Sequence, residues 1–264
     1  VTIRRVDRGR NHWYEDENGV RVPGVTTIQG KAIPKQDVLV PWAGRMSGDY
    51  VIDHWDELVA MPPSERWRAV AGASKRLNTA AKVKGTKIHT LGAAVAAGEE
   101  VAVPAELAGY VEAYTQFLFD YDATVFMSEA VVWSKTHGHC GTLDIGAGLL
   151  TADYGPEFSG NENWLLDVKT GSGVYDDVAF QLAGYRYADT WVDFSGDEPE
   201  ERAMPTFDRC GVVHVREDGY SLHEVEVTEE TYRGFLYLMA SADAIEANRG
   251  AVGEPLDPPI RLES

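Results

Sequence analysis

Three observations predict an α/β fold with a mixed central β-sheet flanked by helices. Helical periodicity dominates before residue 123, three strand-like runs follow between residues 125 and 170, and a helix, a hairpin and a last helix complete the chain. That order suits a mixed sheet rather than a doubly wound parallel one.

Taken in turn, the opening stretch alternates as a small β unit. In HWYEDENGVRVP, Asn18-Gly19 is a turn signal between two short strand-like runs. The segments PGVTTIQGKAIP and VPWAGRMSGDYVIDHWDELVAM read as a turn followed by helix, broken by Pro62-Pro63. Residues 64–98 are Ala-rich and helical, with Gly85 predicted to interrupt the helix just before Thr86-Lys87-Ile88-His89. Pro104 precedes a helix whose Leu107, Tyr110, Val111, Tyr114, Phe117 and Leu118 make one apolar stripe. The period then changes: VFMSEAVVW, HCGTLDIGAGLL and NWLLDVKT are three strands, joined through Gly138 and through a looser connection at 155–163. A helix is expected over 175–194, then the acidic loop SGDEPEERAMP. RCGVVHVRED and YSLHEVEV meet at an Asp218-Gly219 hairpin signal, and Thr228 caps the last helix, with Glu229 and Glu230 placed where the helix dipole favours acids.

The 264 residues are 44% hydrophobic and 25% charged, which excludes a disordered or fibrous chain and allows one α/β domain with elaborations. No apolar run approaches the ~20 residues that span a bilayer, and VTIRRVDRGR has no apolar stretch resembling a signal peptide, so no membrane association is expected. Cys140 and Cys210 alone make neither a disulfide framework nor a four-cysteine cluster, and the expected compartment is a reducing cytoplasm. The formal charge of −18 argues at first against nucleic acid. Its distribution argues otherwise: residues 1–90 hold 15 basic and 10 acidic side chains, net +5, whereas residues 91–264 are net −23. Arg66, Arg68, Lys75, Arg76, Lys82, Lys84 and Lys87 occur before Glu99 with no acidic residue among them, so one face can be basic while the whole is acidic.

Chemistry concentrates in Leu165-Leu166-Asp167-Val168-Lys169-Thr170. On a strand, Asp167 and Lys169 point to one side and Leu166 and Val168 to the other. A carboxylate and an ammonium at a strand end suit metal-assisted attack by water. Asp144, on the preceding strand, allows two carboxylates to converge on one cation. Gln181 and Tyr185 are one turn apart on the following helix and share a face. His89 is an acceptable imidazole ligand for Mg²⁺ or Mn²⁺ when carboxylates supply the rest. Zinc at His137-Gly138-His139-Cys140 lacks a second ligand pair, Gly30-Lys31 lacks the spacing of a phosphate loop, and His223-Glu224 lacks the second His of a metalloprotease helix.

The ordered series G-x-x-x-H (Gly85 to His89), G-x-x-D (Gly141 to Asp144), D-x-K (Asp167 to Lys169) and Q-x-x-x-Y (Gln181 to Tyr185) resembles the RecB-like branch of the PD-(D/E)XK nuclease superfamily. The resemblance covers about residues 26–227. Small phage-type exonucleases of this branch also carry an early V-T-T-I segment, a P-W pair and a Glu on the first core strand, matched here by Val25-Thr26-Thr27-Ile28, Pro41-Trp42 and Glu129. Asp167 stands where much of the superfamily has Glu, which narrows the resemblance to the RecB branch.

The resemblance implies the αβββαβ core of restriction endonucleases and a single nuclease domain over 1–264. Residues 1–63 would be an N-terminal elaboration, 64–248 the core and 249–264 a tail. It implies that Asp144, Asp167 and His89 bind Mg²⁺ or Mn²⁺, helped by the backbone carbonyl of Val168 and by Glu129. Lys169 would position or activate the attacking water. Gln181 would hold Lys169 or the scissile phosphate, and Tyr185 would contact the DNA backbone or brace the pocket. The expected activity is exonucleolytic hydrolysis of DNA. The alternatives are an endonuclease of the same superfamily and an inactive DNA-binding or assembly module. Lys75, Arg76, Lys82, Lys84 and Lys87 are the expected DNA contacts, and a single-strand annealing recombination protein is the partner that the family suggests. In a phage-encoded chain the expected compartment is the bacterial host cytoplasm. Oligomeric state is left open.

Overall fold

The structure is a computed structural model that describes residues 3–9, 11–151, 161–194, 196 and 198–255. The opening β unit is a three-stranded antiparallel sheet of β1 (Ile3–Arg8), β2 (Asn11–Asp16) and β3 (Arg21–Val22). Its second turn forms where Asn18-Gly19 predicts it: the Asp16 carboxylate accepts from the amides of Asn18 and Val20, and Gly19 takes φ +76°. The buried Tyr14 ties this sheet to the larger one through a 2.8 Å hydrogen bond between its hydroxyl and Thr142 Oγ1.

Five helices follow: α1 (Val25–Ala32), α2 (Gln36–Asp53), α3 (Trp55–Ala60), α4 (Pro63–Ala71) and α5 (Ala73–Ala96). The V-T-T-I segment begins a helix at once, because Val25 and Ile28 are buried in the main core. By contrast α2 buries no residue and leaves Val38, Leu39, Val40 and Ile52 exposed. Gly85 does not interrupt the helix as expected; the break falls at Gly72 instead. Glycine inside a helix costs ~1 kcal/mol relative to Ala. Here a tight contact explains it, since a Cβ on Gly85 would lie 3.2 Å from Thr170 Oγ1. A short 3-10 turn, Ala105–Leu107, leads into α6 (Ala108–Asp120), whose Val111, Tyr114 and Phe117 are buried as the apolar stripe requires.

The remaining elements are β4 (Thr124–Ser134), β5 (His139–Leu150), β6 (Asn161–Lys169), α7 (Val178–Arg186), β7 (Thr190–Asp193), β8 (Glu200–Ala203), β9 (Arg209–Arg216), β10 (Gly219–Glu224) and α8 (Glu229–Ala247). They form a mixed seven-stranded sheet of order β10-β9-β6-β5-β4-β7-β8, antiparallel throughout except between β6 and β9. Two expectations fail. The helix predicted over 175–194 is only α7, and its second half is a strand, with Val192 opposite Val131 and Thr190 opposite Trp133. The loop predicted to be irregular holds β8, which pairs with β7. The aromatic and β-branched residues of Thr190-Trp191-Val192 favour a pleated, half-buried surface once a partner edge is available, and that edge comes from β4. Ser195 and Asp197 of the acidic loop, most of the 155–163 connection and the tail from 256 onward lie outside the described residues.

Helices cover both faces of the sheet. On one side α1, α7 and α8 bury Val25, Leu182 and Phe235 against Leu143, Leu165 and Val212. On the other, α6 buries Tyr114 and Phe117 against Ile145, Leu166 and Val213. Fully burying each such side chain stabilises the fold by ~1.5–3 kcal/mol. The predicted cap of the last helix forms: the Thr228 side chain accepts from the Thr231 amide and the Thr231 side chain accepts from the Thr228 amide. No helix among the described residues is long and apolar enough to cross a membrane.

Candidate active site

The site lies where the central sheet stops being regular. The β5–β6 ladder ends at the pair Ile145–Leu166, so the strands part just before Asp144 and Asp167. Val168 N–H, left without a ladder partner on that side, donates to Asp144 Oδ2 at 2.7 Å. On β4, Glu129 has φ +48°, an uncommon conformation for a residue with a side chain. The alternation of both strands slips there. Met127 and Ala130, three residues apart, share the core beneath α7, whereas Leu143 and Ile145, two apart, fall in opposite cores.

Helix α5 brings His89 to this gap. Ile88 is buried, and the helix approaches α6 so closely that a Cβ on Gly92 would lie 3.3 Å from the Tyr114 ring. His89 Nδ1 is then 3.6 Å from Asp144 Oδ2 and 3.7 Å from Glu129 Oε1. One ligand atom from each of the three lies within 4.8 Å of the others. Beside them is a cavity of about 10 Å³ bounded by Ile88, Tyr114, Ser128 and Ile145, which is roughly the space of one small particle. An imidazole nitrogen with two carboxylates fits Mn²⁺ well and Mg²⁺ acceptably, with water completing the shell.

A second group hangs from the end of β6. Asp167 is 1% exposed; its Oδ2 lies 2.6 Å from Lys169 Nζ, and its Oδ1 accepts from Gln181 Nε2 at 2.7 Å. Gln181 Oε1 accepts from Lys169 Nζ at 3.4 Å, and Gln181 Nε2 also reaches Tyr185 OH at 3.4 Å. Gln181 therefore ties Asp167, Lys169 and Tyr185 together, and the shared helix face read from the spacing is real. Gly141 makes room for Tyr185, since a Cβ there would sit 2.5 Å from the ring.

Burial and charge oppose each other throughout. Burial disfavours the His89 imidazolium, but Asp144 and Glu129 together outweigh it and raise its pKa to about 10. Burial also works against the Asp144 carboxylate, yet His89, the Val168 amide and Lys169 hold it below the usual range. For Asp167 burial wins: with the neighbouring Asp144 charge it pushes the carboxyl up, despite Lys169 and His89. Lys169 is desolvated too, but Asp167 and Asp144 raise it, so its ammonium keeps its proton at neutral pH. Burial lifts Tyr185 well above the ordinary phenol range.

The residues expected to act together thus form two adjoining groups. His89, Asp144 and Glu129 form the one suited to a cation, and Glu129 stands nearer its centre than its supporting role in the sequence reading suggests. Asp167 faces Lys169 and Gln181, and the contact that Val168 makes here is through its amide. Of the basic residues, Lys75, Arg76, Lys84 and Lys87 line a groove of about 690 Å³ along α5, and Lys82 is exposed outside that lining. Arg76 also stacks on Tyr50 at 4.8 Å and Lys84 on Tyr110 at 4.0 Å. Sequence reasoning missed His214, which stands opposite Lys169 in the parallel β6–β9 ladder, because no local signal announces a parallel register. No known protein-family profile and no curated protein matches the chain.

Proposed function

We propose that the chain is a Mg²⁺- or Mn²⁺-dependent deoxyribonuclease, of exonuclease type, built on a RecB-like PD-(D/E)XK core. One observation carries this reading: at the open end of β6, the His89–Glu129–Asp144 donor set adjoins the Asp167–Lys169–Gln181 group. Apart from β7 and β8, which extend the β4 edge of the sheet, the order α6, β4, β5, β6, α7, β9, with β9 parallel to β6, supports the αβββαβ reading. A bound cation would stabilise charge developing on the phosphate and lower the pKa of attacking water. The protein's own groups do the rest. Lys169, holding its proton against Asp167, is a donor that orients the water or a phosphate oxygen and offsets negative charge in the transition state. Gln181 restricts where that ammonium sits, and Tyr185 braces Gln181. From Lys75 to His89, α5 runs about 21 Å, so its basic side chains form a path for phosphates that leads to the site.

The test is release of nucleotides from end-labelled linear DNA with Mg²⁺ or Mn²⁺, by wild type and by Asp167→Ala and Lys169→Ala. Loss of release in both variants is expected. Equally slow release by all three refutes the catalytic reading and favours a binding module. Covalently closed circular DNA should resist; its cleavage would favour an endonuclease.

A further inference from the structure

Lys169 is the last residue of β6, and the chain then turns through residues 170–174 toward α7. Where its ammonium sits therefore depends on what holds that turn. On one side α5 holds it, through the close approach of Gly85 to Thr170 Oγ1. On the other side stands His214, opposite Lys169 on β9 and 8% exposed. Its Nε2 is 2.8 Å from the Gly171 carbonyl oxygen. A carbonyl only accepts, so Nε2 carries the hydrogen. Arg216 places Nη1 3.1 Å from His214 Nδ1, and a guanidinium only donates, so Nδ1 presents its lone pair. The tautomer is thereby fixed from both sides. The same Nη1 donates to Ser221 Oγ at 3.0 Å, and Ser221 Oγ lies 2.9 Å from His223 Nε2, which ties β10 into the chain of bonds.

We propose that His214, oriented by Arg216, is a positioning residue for Lys169. Its Nε2–H fastens the Gly171 carbonyl and so fixes the turn from which Lys169 reaches Asp167 and Gln181. The inference rests on the nuclease reading of Lys169. The Lys169–Gln181 contact, at 3.4 Å, is already at the limit of a hydrogen bond, so a small shift of the turn breaks it. A misplacement of about 1 Å in a catalytic group costs up to ~100-fold in rate. The basic side chains of α5 are not in this chain of bonds, so affinity for DNA is kept.

The variants are His214→Leu, which keeps bulk but loses the donor, His214→Gln, which keeps a donor near Nε2, and Arg216→Met. With DNA and Mn²⁺, His214→Leu is expected to lower kcat roughly 10- to 100-fold with KM unchanged within about twofold, and His214→Gln to recover most of it. Amide hydrogen exchange of residues 170–174 in metal-free protein should quicken in His214→Leu and return toward wild type in His214→Gln. If wild type is active, Lys169→Ala is inactive and His214→Leu retains full kcat, the inference is overturned and the nuclease reading stands. A His214→Gln as slow as His214→Leu also overturns it. An inactive wild type overturns the nuclease reading and this inference with it. Should His214→Leu fail to fold, Arg216→Met decides: a kcat lower by about 3- to 10-fold at unchanged KM supports the proposal, and an unchanged kcat overturns it.

Discussion

Adding Mn²⁺ to the metal-free protein should release a proton from His89. The imidazole faces two carboxylates at 3.6 and 3.7 Å, and its pKa of about 10 keeps it charged. At pH 8, two units below that value, about 99% of His89 is protonated. A dication can use Nδ1 only when the nitrogen is bare, so each ion bound at pH 8 releases about one proton. The sign follows: affinity rises with pH, by about tenfold per unit between pH 7 and 9, and levels off above the His89 pKa. Calorimetric titrations in buffers of different ionisation enthalpy measure the number directly, as the slope of observed heat against buffer heat. Wild type should give a slope of about one proton and His89→Gln a slope near zero with weaker binding. Saturable Mn²⁺ binding with no proton released, or the same slope in His89→Gln, would refute the assignment of His89 as a charged group displaced onto the ion.

Three further outcomes are expected. Charge reversal by Lys82→Glu with Lys84→Glu should weaken DNA binding and flatten its dependence on salt by about two units of log–log slope, measured by fluorescence anisotropy; an unchanged slope would remove α5 from the DNA path. Gly141→Ala drives a Cβ to 2.5 Å from the Tyr185 ring, so it should lower stability by ~1–3 kcal/mol and displace Gln181 enough to cut kcat, read by urea unfolding and nuclease assay. His139 is wholly buried, and burial lowers its pKa to about 4, while the unfolded chain titrates near 6.5. The unfolded state therefore takes up the proton first, and about 3 kcal/mol of stability present above pH 6.5 should be lost as pH falls toward 4, a loss that His139→Gln removes.

What was legible in the sequence was what neighbours along the chain decide. Asp167 and Lys169 share a strand face because the strand period is two, and Gln181 and Tyr185 meet because the helix period is near four. The β9–β10 hairpin, which turns at Glu217-Asp218, one residue before the Asp218-Gly219 signal, and the cap at Thr228 are likewise local chemistry. What was not legible depends on distant partners. Thr190-Trp191-Val192 follows a helix directly and reads as its continuation until β4 offers an edge. Gly85 reads as a helix break until Thr170 is known to press against it. Glu129 carries no signature of a positive φ, since neither Gly nor Asn marks the position, and its approach to His89 follows from that backbone. His214 meets Lys169 only through a parallel register, for which no turn residue speaks.

The place where these non-local features coincide is itself an argument. A ladder continued past Ile145–Leu166 would pair the Val168 amide with backbone and leave Asp144 without its donor. A regular β4 would return Glu129 to the pleat, whereas its αL backbone, at a cost of ~1–3 kcal/mol, goes with its approach to His89. Gly85 forgoes ~1 kcal/mol of helix propensity and lets α5 reach Thr170. Asp167 sits buried beside a second carboxylate, which raises its pKa and weighs against the fold whenever both are charged. Each cost has a cheaper alternative in a regular sheet or helix, and all of them fall around one site. A cation binding His89, Glu129 and Asp144 would offset them together, by ~2.7 kcal/mol at a concentration of 100 Kd, because it binds the folded state alone. Costs of this kind gathered at one place are what a functional site tolerates and a structural core does not, and they favour the metal-dependent reading proposed above.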